Sequence, residues 1–541
     1  MRPMEAETVA EAFAAAAGLW PERPVLNVLA ETADIYGIAA GEITYDAAQA
    51  RVLALREAFA ASGYAPGQRV MLLLENRPDF FLYWIALNGL GLSVVPVNPD
   101  LRAAELEYMA GHAEPALVVA IPARCEELRA AGQAAGLDLP VCAPGEDVPA
   151  PRGGPVFDAD VAPEAREAAM LYTSGTTGQP KGCVLSNTYF LEAGRWYAGA
   201  GGVCTLTEDG ERMLTPLPIF HMNAMAYSFM AMVAVGGCLT ALDRFHPRTW
   251  WASVKESGAT CLHYLGVMPS MLMGAPEDPA DRAHSVRFGF GAGVDPKLHG
   301  PFETRFGFPL MEAWAMTETG AGAVVAANHE PRRVGEACFG RPGPELEVRL
   351  VDDAGADVAP NTPGELLVRR KGDDPRRGFF TEYWKNAEET AKVWEGGWFH
   401  TGDVVRQEPS GDMVFVDRKK NVIRRSGENI AAVEVESVLM RHPAIEAAGV
   451  AAVPDDVRGD EVFACLKVSG EAGEALARDI VEWALGQMAY YKVPGYVAFV
   501  GELPLTATNK IQRGVLKTLA ADLLADAGTI DTRKMKKRQA A

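Results

Sequence analysis

Cysteine pairs at metal-ligand or redox spacing are missing from this sequence. Its eight cysteines (Cys125, Cys142, Cys183, Cys204, Cys238, Cys261, Cys338 and Cys465) are scattered, with no CxxC pair and no histidine cluster beside them. That pattern argues against a zinc site or a disulfide framework and fits reduced thiols in a cytoplasmic protein. Positive charge is also scarce: 51 Lys and Arg face 71 Asp and Glu, a net charge of −20. Most of the surface therefore repels nucleic acid and anionic lipid, and no nucleic-acid partner is expected. An anionic substrate needs a locally basic or amide-rich pocket.

Long hydrophobic runs are missing too. The longest chargeless stretch, 213–242, is broken by Pro216, Pro218, His221 and Asn223, leaving Ala224 to Val235 as a short buried helix rather than a membrane span. The beginning, with Glu5, Glu7 and Glu11 ahead of Phe13 to Trp20, lacks the basic start and longer apolar core of an export signal. No transmembrane segment is expected.

What is present is an enzyme-sized chain of 541 residues, 48% hydrophobic and 23% charged, too long for one core. From Arg69 the pattern predicts strand (Val70 to Leu74), helix (Asp79 to Leu90), strand (Leu92 to Val97), helix (Arg102 to His112) and strand (Ala116 to Ala120). Such alternation implies a covered, mostly parallel sheet. A Pro-, Gly- and Asp-rich stretch from Cys142 to Pro163 reads as a linker, and the alternation resumes from Ala168 to about Val325. Beyond Arg332, short alternating strands such as Glu345 to Val351 and Gly364 to Arg369 indicate a β-rich subdomain. A separate pattern follows Asp417: helices over Ala432 to Arg441 and Leu476 to Met488, strands near Ala447 to Val453 and Glu461 to Val468.

The expected class is α/β: a large N-terminal region over 1–416, made of two α/β subdomains plus a β-rich one, a hinge at 417–420, and a small mobile α+β C-terminal domain over 421–541. The basic residues Arg533, Lys534, Lys536, Lys537 and Arg538 read as a solvated, frayed end.

One segment carries most of the chemistry. In LYTSGTTGQPKG, Leu171 to Gly182, an apolar strand runs into a loop holding Thr173, Ser174, Gly175, Thr176, Thr177, Gly178 and Lys181. Glycines let backbone amides approach phosphate oxygens, hydroxyls donate to them, and lysine offsets their charge. A Walker loop requires GxxxxGK followed by Ser or Thr; here the Gly175 and Gly178 spacing is wrong, Pro180 precedes Lys181 and Gly182 follows it. A P-loop ATPase is thereby excluded.

The string instead resembles the phosphate loop of the adenylate-forming superfamily, which includes acyl-CoA synthetases, nonribosomal peptide adenylation domains and luciferases. Further stretches similar to that family's motifs follow in order: PLPIFHMN (Pro216 to Asn223), FGFGAGVDP (Phe288 to Pro296), AWAMTETG (Ala313 to Gly320), GWFHTGDV (Gly397 to Val404), FVDRKKNVIRRSGENIAAVEVE (Phe415 to Glu436) and LPLTATNKIQR (Leu503 to Arg513). The wording SGENIAAVEVE and YYKVPGYVAFV looks most like stand-alone acyl-CoA ligases of the crotonobetaine and carnitine branch.

The resemblance implies ATP, Mg²⁺ and CoA as reactants or cofactors, with a small carboxylic acid as the other substrate. It places His221 at the gate between the ATP and acyl sites, the backbone of Gly291, Ala292 and Gly293 beside adenine, Trp314 against adenine, with Ala315 and Met316 lining the nucleotide, Thr317 near the α-phosphate and Glu318 at Mg²⁺. Asp403 is implied for the ribose hydroxyls, Arg418 near the ribose, Lys420 at the pivot and Lys510 on the carboxylate and α-phosphate. Gly427 is expected to line the thiol channel, with Arg424, Arg425 and Arg458 as candidate contacts for CoA phosphates. Met222, Asn223, Tyr227, Gly266, Val267 and Met316, with His221, are candidates for the acyl pocket. A homodimer is compatible with the sequence.

Two departures stand out. Ala315 occupies a position where the family usually has glycine, which suggests a restricted pocket for compact acids, and Asn509 replaces a usual glycine while tolerating left-handed backbone. The leading expectation is an acid:CoA ligase. An aryl or amino acid adenylating enzyme serving a carrier protein, and a catalytically weak nucleotide-binding regulator, are the alternatives.

Overall fold

The strand Arg69–Leu73 is buried along its whole length, as a run of apolar residues covered on both faces requires. Its one charged member is accommodated by pairing: Arg69 makes two 2.7 Å bonds to Glu167, and its guanidinium lies 3.8 Å from the ring centre of Trp384. The next helix, Pro78–Asn88, starts on a proline, which suits the first turn because its missing N–H has no helical acceptor. In this computed structural model residues 1–173, 179–418, 422–504 and 511–537 are described, with the side chains of 417 and 418 outside that description.

The chain separates into two compact units. The larger comprises Met1–Pro99, Ala113–Leu171 and Gly182–Asp417. One of its sheets has seven strands, with Arg69–Leu73 flanked in parallel by Ser93–Pro96 and Leu117–Ala120. A second has eight, in which Arg212–Thr215, Cys238–Ala241, Cys261–Leu265, Phe288–Ala292 and Leu310–Trp314 run parallel. A third, antiparallel sheet of five strands includes Leu346–Val351, Gly364–Arg370 and Phe399–Gln407. The architecture is α/β, and the predicted strand and helix alternation from Arg69 is present with ends shifted by one or two residues.

The smaller unit comprises Asp100–His112, Tyr172–Lys181 and Arg418–Ala541. Two short segments from the first third of the chain group with the C-terminal part, which begins at Arg418. A buried ion cluster accounts for one of them: Lys492 Nζ lies 2.6 Å from Glu105 and 2.6 Å from Glu434, and Glu105 also accepts from the Ala489 amide. In the six-stranded sheet, Val422–Arg425 and Glu428–Ala431 form a hairpin. Its two turn residues, Ser426 and Gly427, both have positive φ, 51° and 92°, as a tight two-residue hairpin turn requires.

Two expectations are corrected. The run Ala224 to Val235 is not one α-helix: Asn223–Phe229 is a π-helix and only Met230–Val235 is α-helical. Apolar periodicity cannot separate the two, because both bury the same run; the Ser228 hydroxyl bond to the carbonyl of Asn223, five residues back, marks the wider turn. Arg533 and Lys536 of the basic C-terminal stretch are not frayed either, while Arg538 lies outside the described residues. Arg533 bonds Asp531 and Asp455, and Lys536 is buried with its ammonium 2.5 Å from Glu461. All eight cysteines are buried free thiols. Among the described residues no helix is long and apolar enough to cross a membrane.

Candidate active site

The site in the large unit grows from the ends of adjacent parallel strands, where backbone groups emerge from the sheet and loops can shape a crevice. Cys261–Leu265 and Phe288–Ala292 are paired in parallel, and the loops that follow them touch. A Cβ on Gly266 would lie 1.7 Å from the carbonyl oxygen of Gly293, and one on Gly291 would lie 2.2 Å from that of Tyr264. Only glycine fits at either position, so these loops present bare backbone.

Glu312, which sequence reasoning passed over, holds the second loop in place. Its carboxylate accepts from the amides of Gly293 (2.8 Å) and Val294 (3.1 Å) and from the Tyr264 hydroxyl (2.6 Å). Burial pushes its pKa up against the pull of those donors. The available signal was a carboxylate inside the otherwise apolar strand Leu310–Trp314, which must find partners once buried.

Trp314 ends that strand with its indole buried. Its Nε1 donates to Oδ2 of Asp403 at 2.8 Å; Asp403 lies on Phe399–Gln407, where the Thr401 hydroxyl accepts from the Asp403 amide. One of the two oxygens expected to face ribose thus already takes a donor from Trp314. After Trp314 the chain turns, with the Thr319 hydroxyl accepting from the Met316 amide. Ala315, Met316 and Thr317 stay partly exposed, whereas Glu318 is buried. Tyr189 donates to the Thr317 carbonyl at 2.9 Å, and Tyr383 donates to Glu318 Oε1 at 2.7 Å. Sixty-five residues separate Tyr383 from Glu318, and no local motif announces the contact. Burial and the Glu318 charge raise the Tyr383 pKa, keeping it an O–H donor.

Beside the residues expected to line the acyl pocket, Asn76 fixes the loop before His221 by donating to the carbonyls of Leu217 and Leu242 and accepting from the Ile219 amide. His221 packs beside Phe220, ring centres 4.6 Å apart. Met222, Asn223 and Tyr227 lie at the start and along the π-helix. Tyr227 is buried, its hydroxyl donating to the Gly320 carbonyl at 3.0 Å, and Gly266 and Val267 are partly exposed.

In the smaller unit, Thr173 ends one strand and Lys181 begins the next. Ser174, Gly175, Thr176, Thr177, Gly178, Lys420, Asn509 and Lys510 lie outside the described residues, as does the side chain of Arg418. The expected role of Arg425 is corrected. This side chain is 1% exposed and bonds Glu461 through Nε at 2.8 Å, so it is committed to the interior rather than offered to a phosphate; Arg424 is exposed.

With that geometry in view, a family profile described as AMP-binding enzyme matches residues 13–384, and one described as AMP-binding enzyme C-terminal domain matches 434–510. The chain belongs to the AMP-binding enzyme family. This AMP-binding enzyme is 30% identical over 475 residues to the crotonobetaine/carnitine–CoA ligase of Salmonella paratyphi A, covering 85% of this chain and 90% of that one. It is 30% identical over 476 residues to the protein of the same name from Citrobacter koseri, with coverage of 85% and 90%. Among solved structures, a malonyl-CoA ligase with methylmalonyl-CoA and AMP bound is similar at 26% identity and a TM-score of 0.73, covering 89% of this chain and 97% of that one. The fold is shared with the amide bond synthetase McbA from Marinactinospora thermotolerans, at 24% identity, a TM-score of 0.77 and coverage of 92% and 98%.

Among the described residues of this AMP-binding enzyme no group of three or more His, Cys, Asp or Glu side chains is arranged to hold a metal ion. Unlike Glu312, whose two oxygens both accept bonds, the buried carboxylate of Glu318 has as its only side-chain hydrogen bond among the described residues the one from Tyr383 to Oε1. Oε2 therefore keeps its lone pairs. That donor set fits Mg²⁺, which typically takes one or two carboxylates and completes its shell with substrate phosphates and water.

Proposed function

We propose that this AMP-binding enzyme joins a compact carboxylic acid to CoA through an acyl-adenylate. In the first step a carboxylate oxygen bonds to the α-phosphorus of ATP, the bond to the bridging oxygen breaks and pyrophosphate leaves. In the second a thiolate, its proton lost to solvent, bonds to the acyl carbon and AMP leaves. The observation that carries this reading is one buried constellation in the large unit: Trp314 bonded to Asp403, beside a strand-end turn that exposes Thr317 and buries Glu318.

Asp403 is read as the ribose acceptor and Trp314 as the wall for adenine, with Gly291, Ala292 and Gly293 offering backbone to the base. Glu318 would hold Mg²⁺, which would screen phosphate charge as pyrophosphate departs. Thr317, Lys181 and the hydroxyls of 173–177 are assigned to the phosphates, Arg418 to the ribose and Lys510 to the carboxylate. Because the thiol needs to reach the acyl carbonyl from a different side while Lys510 and its loop would occupy the first-step site, the C-terminal segment is read as turning about Lys420 between the steps, which brings Gly427 to the thiol path. Ala315, whose methyl narrows the space at its Cα, supports a short or medium acid over a long chain.

The test is acid-dependent pyrophosphate release across short, aromatic, fatty and amino acids, each with and without CoA. Release with a compact acid and AMP-coupled thioester formation on adding CoA is the expected result; release with no use of CoA would move the acceptor to a carrier protein, and no release would reject adenylation. Lys510→Ala is expected to lose adenylation while still converting a supplied acyl-adenylate.

A further inference from the structure

His263 sits at the centre of the strand Cys261–Leu265 with no exposed surface. Its Nε2 lies 3.0 Å from the hydroxyl of buried Tyr197. Its Nδ1 lies 2.6 Å from Asn223 Oδ1 and 3.0 Å from the Ser228 hydroxyl. Ser228 in turn donates to the backbone carbonyl of Asn223. No charged side chain enters this group, and burial alone pulls the His263 pKa down to about 3, so the ring is neutral at working pH.

The network has one consistent proton arrangement. The Tyr197 hydroxyl has no hydrogen-bond partner among the described residues other than His263, and a buried hydroxyl left without an acceptor is costly. The phenol therefore donates to Nε2. A neutral ring with Nε2 as acceptor carries its proton on Nδ1, and that N–H donates to the amide oxygen of Asn223. Asn223 is thus fixed with its oxygen facing His263 and its NH₂ facing away. No described protein atom accepts from that NH₂, and Asn223 is partly exposed at the first turn of the π-helix.

We infer that Asn223, oriented by the Tyr197–His263 pair, is a specificity-determining residue that donates a hydrogen bond to an oxygen on the acyl chain, so that the substrate is a compact carboxylic acid carrying a carbonyl, ether or hydroxyl oxygen beyond its carboxylate. This rests on the reading that the π-helix start lines the acyl pocket. A fixed donor recognises an acceptor at little conformational cost, and an alkyl isostere that leaves the N–H unpaired is penalised.

Matched pairs that differ only in an acceptor oxygen provide the test: methoxyacetate against butanoate, 4-oxopentanoate against pentanoate, and 5-oxohexanoate against hexanoate, scored by kcat/KM for pyrophosphate release with the full-length enzyme. The wild type is expected to prefer the oxygenated member of at least one pair by about tenfold. Asn223→Asp keeps an oxygen for His263 Nδ1 but replaces the NH₂ with an oxygen, and is expected to abolish or invert that preference. Asn223→Leu, for which neither oxygen nor NH₂ remains, is expected to bring the kcat/KM ratio of the paired acids close to one, so the inference survives a folding failure of either variant. Release in the wild type with no oxygen preference, or a preference unchanged in a folded variant, overturns the inference alone. No release with any acid overturns the functional reading and the inference with it.

Discussion

The indole nitrogen of Trp314 and Oδ2 of Asp403 are 2.8 Å apart, both residues buried. This bond ties the residue proposed for the adenine wall to the one proposed for the ribose. Trp314→Phe keeps an aromatic face but removes this hydrogen bond to a buried carboxylate, a change of about 1–3 kcal/mol. The variant is expected to denature at lower urea concentration and to show a raised KM for ATP with little change in KM for the acid. An unchanged KM for ATP in a folded variant would separate the pair from nucleotide binding.

Tyr383 supplies the only side-chain donor to Glu318 among the described residues. Removing it in Tyr383→Phe leaves the carboxylate less fixed. The expected outcome is a higher Mg²⁺ concentration for half-maximal pyrophosphate release, with Glu318→Gln losing release across the whole Mg²⁺ range. A Mg²⁺ titration of both variants checks this.

His263 gives stability a pH dependence of known sign. Its ordinary pKa is 6.5 and burial lowers it to about 3 in the folded protein. Below pH 6.5 the unfolded chain therefore takes up a proton that the folded one refuses, and stability present above that pH is lost as pH falls towards 3. The slope contributed is up to about 1.4 kcal/mol per pH unit. Chemical denaturation between pH 7 and pH 5 should show this decline, and a folded His263→Gln variant should show a shallower one.

Lys536 and Arg425 share the single carboxylate of Glu461. Two buried cations on one anion leave a positive excess, and the lysine is the member able to shed it; burial and the Arg425 guanidinium lower its pKa to about 7. Glu461→Gln strands both cations and should cost about 3–5 kcal/mol. Lys536→Met leaves a one-to-one pair and should cost far less. Equal losses on denaturation would contradict the shared-carboxylate account. Because Arg425 also flanks the Ser426–Gly427 turn, hydrogen exchange at 422–431 is expected to rise more in the Glu461 variant.

Local sequence carried much of the large unit. The alternation from Arg69 is written in continuous apolar runs, and Trp314, Glu318 and Asp403 each sit in short strings whose residue types match their surroundings. Contacts closed through the fold were not legible in that way. Tyr383 reaches Glu318, and His263 reaches Asn223 and Tyr197, across dozens of residues with no spacing rule joining them. Glu312 and Lys536 left a weaker trace: a charge in an apolar strand, and a basic run whose burial depends on a distant carboxylate. The π-helix was invisible because it buries the same apolar residues as an α-helix. The grouping of 100–112 with the C-terminal part depends on Glu105 meeting Lys492, which no local pattern encodes.

Gly266 and Gly293 carry a further consequence for engineering. With a carbonyl oxygen already against the Cα of Gly266, any side chain placed there displaces the loop that Glu312 anchors. On the proposed assignment of Gly266 to the acyl pocket and Gly293 to the base, acid preference and nucleotide affinity are inseparable at this point of the crevice. On that reading a library that randomises residue 266 returns nucleotide-binding defects, and selectivity is more readily redrawn at Asn223 on the π-helix side.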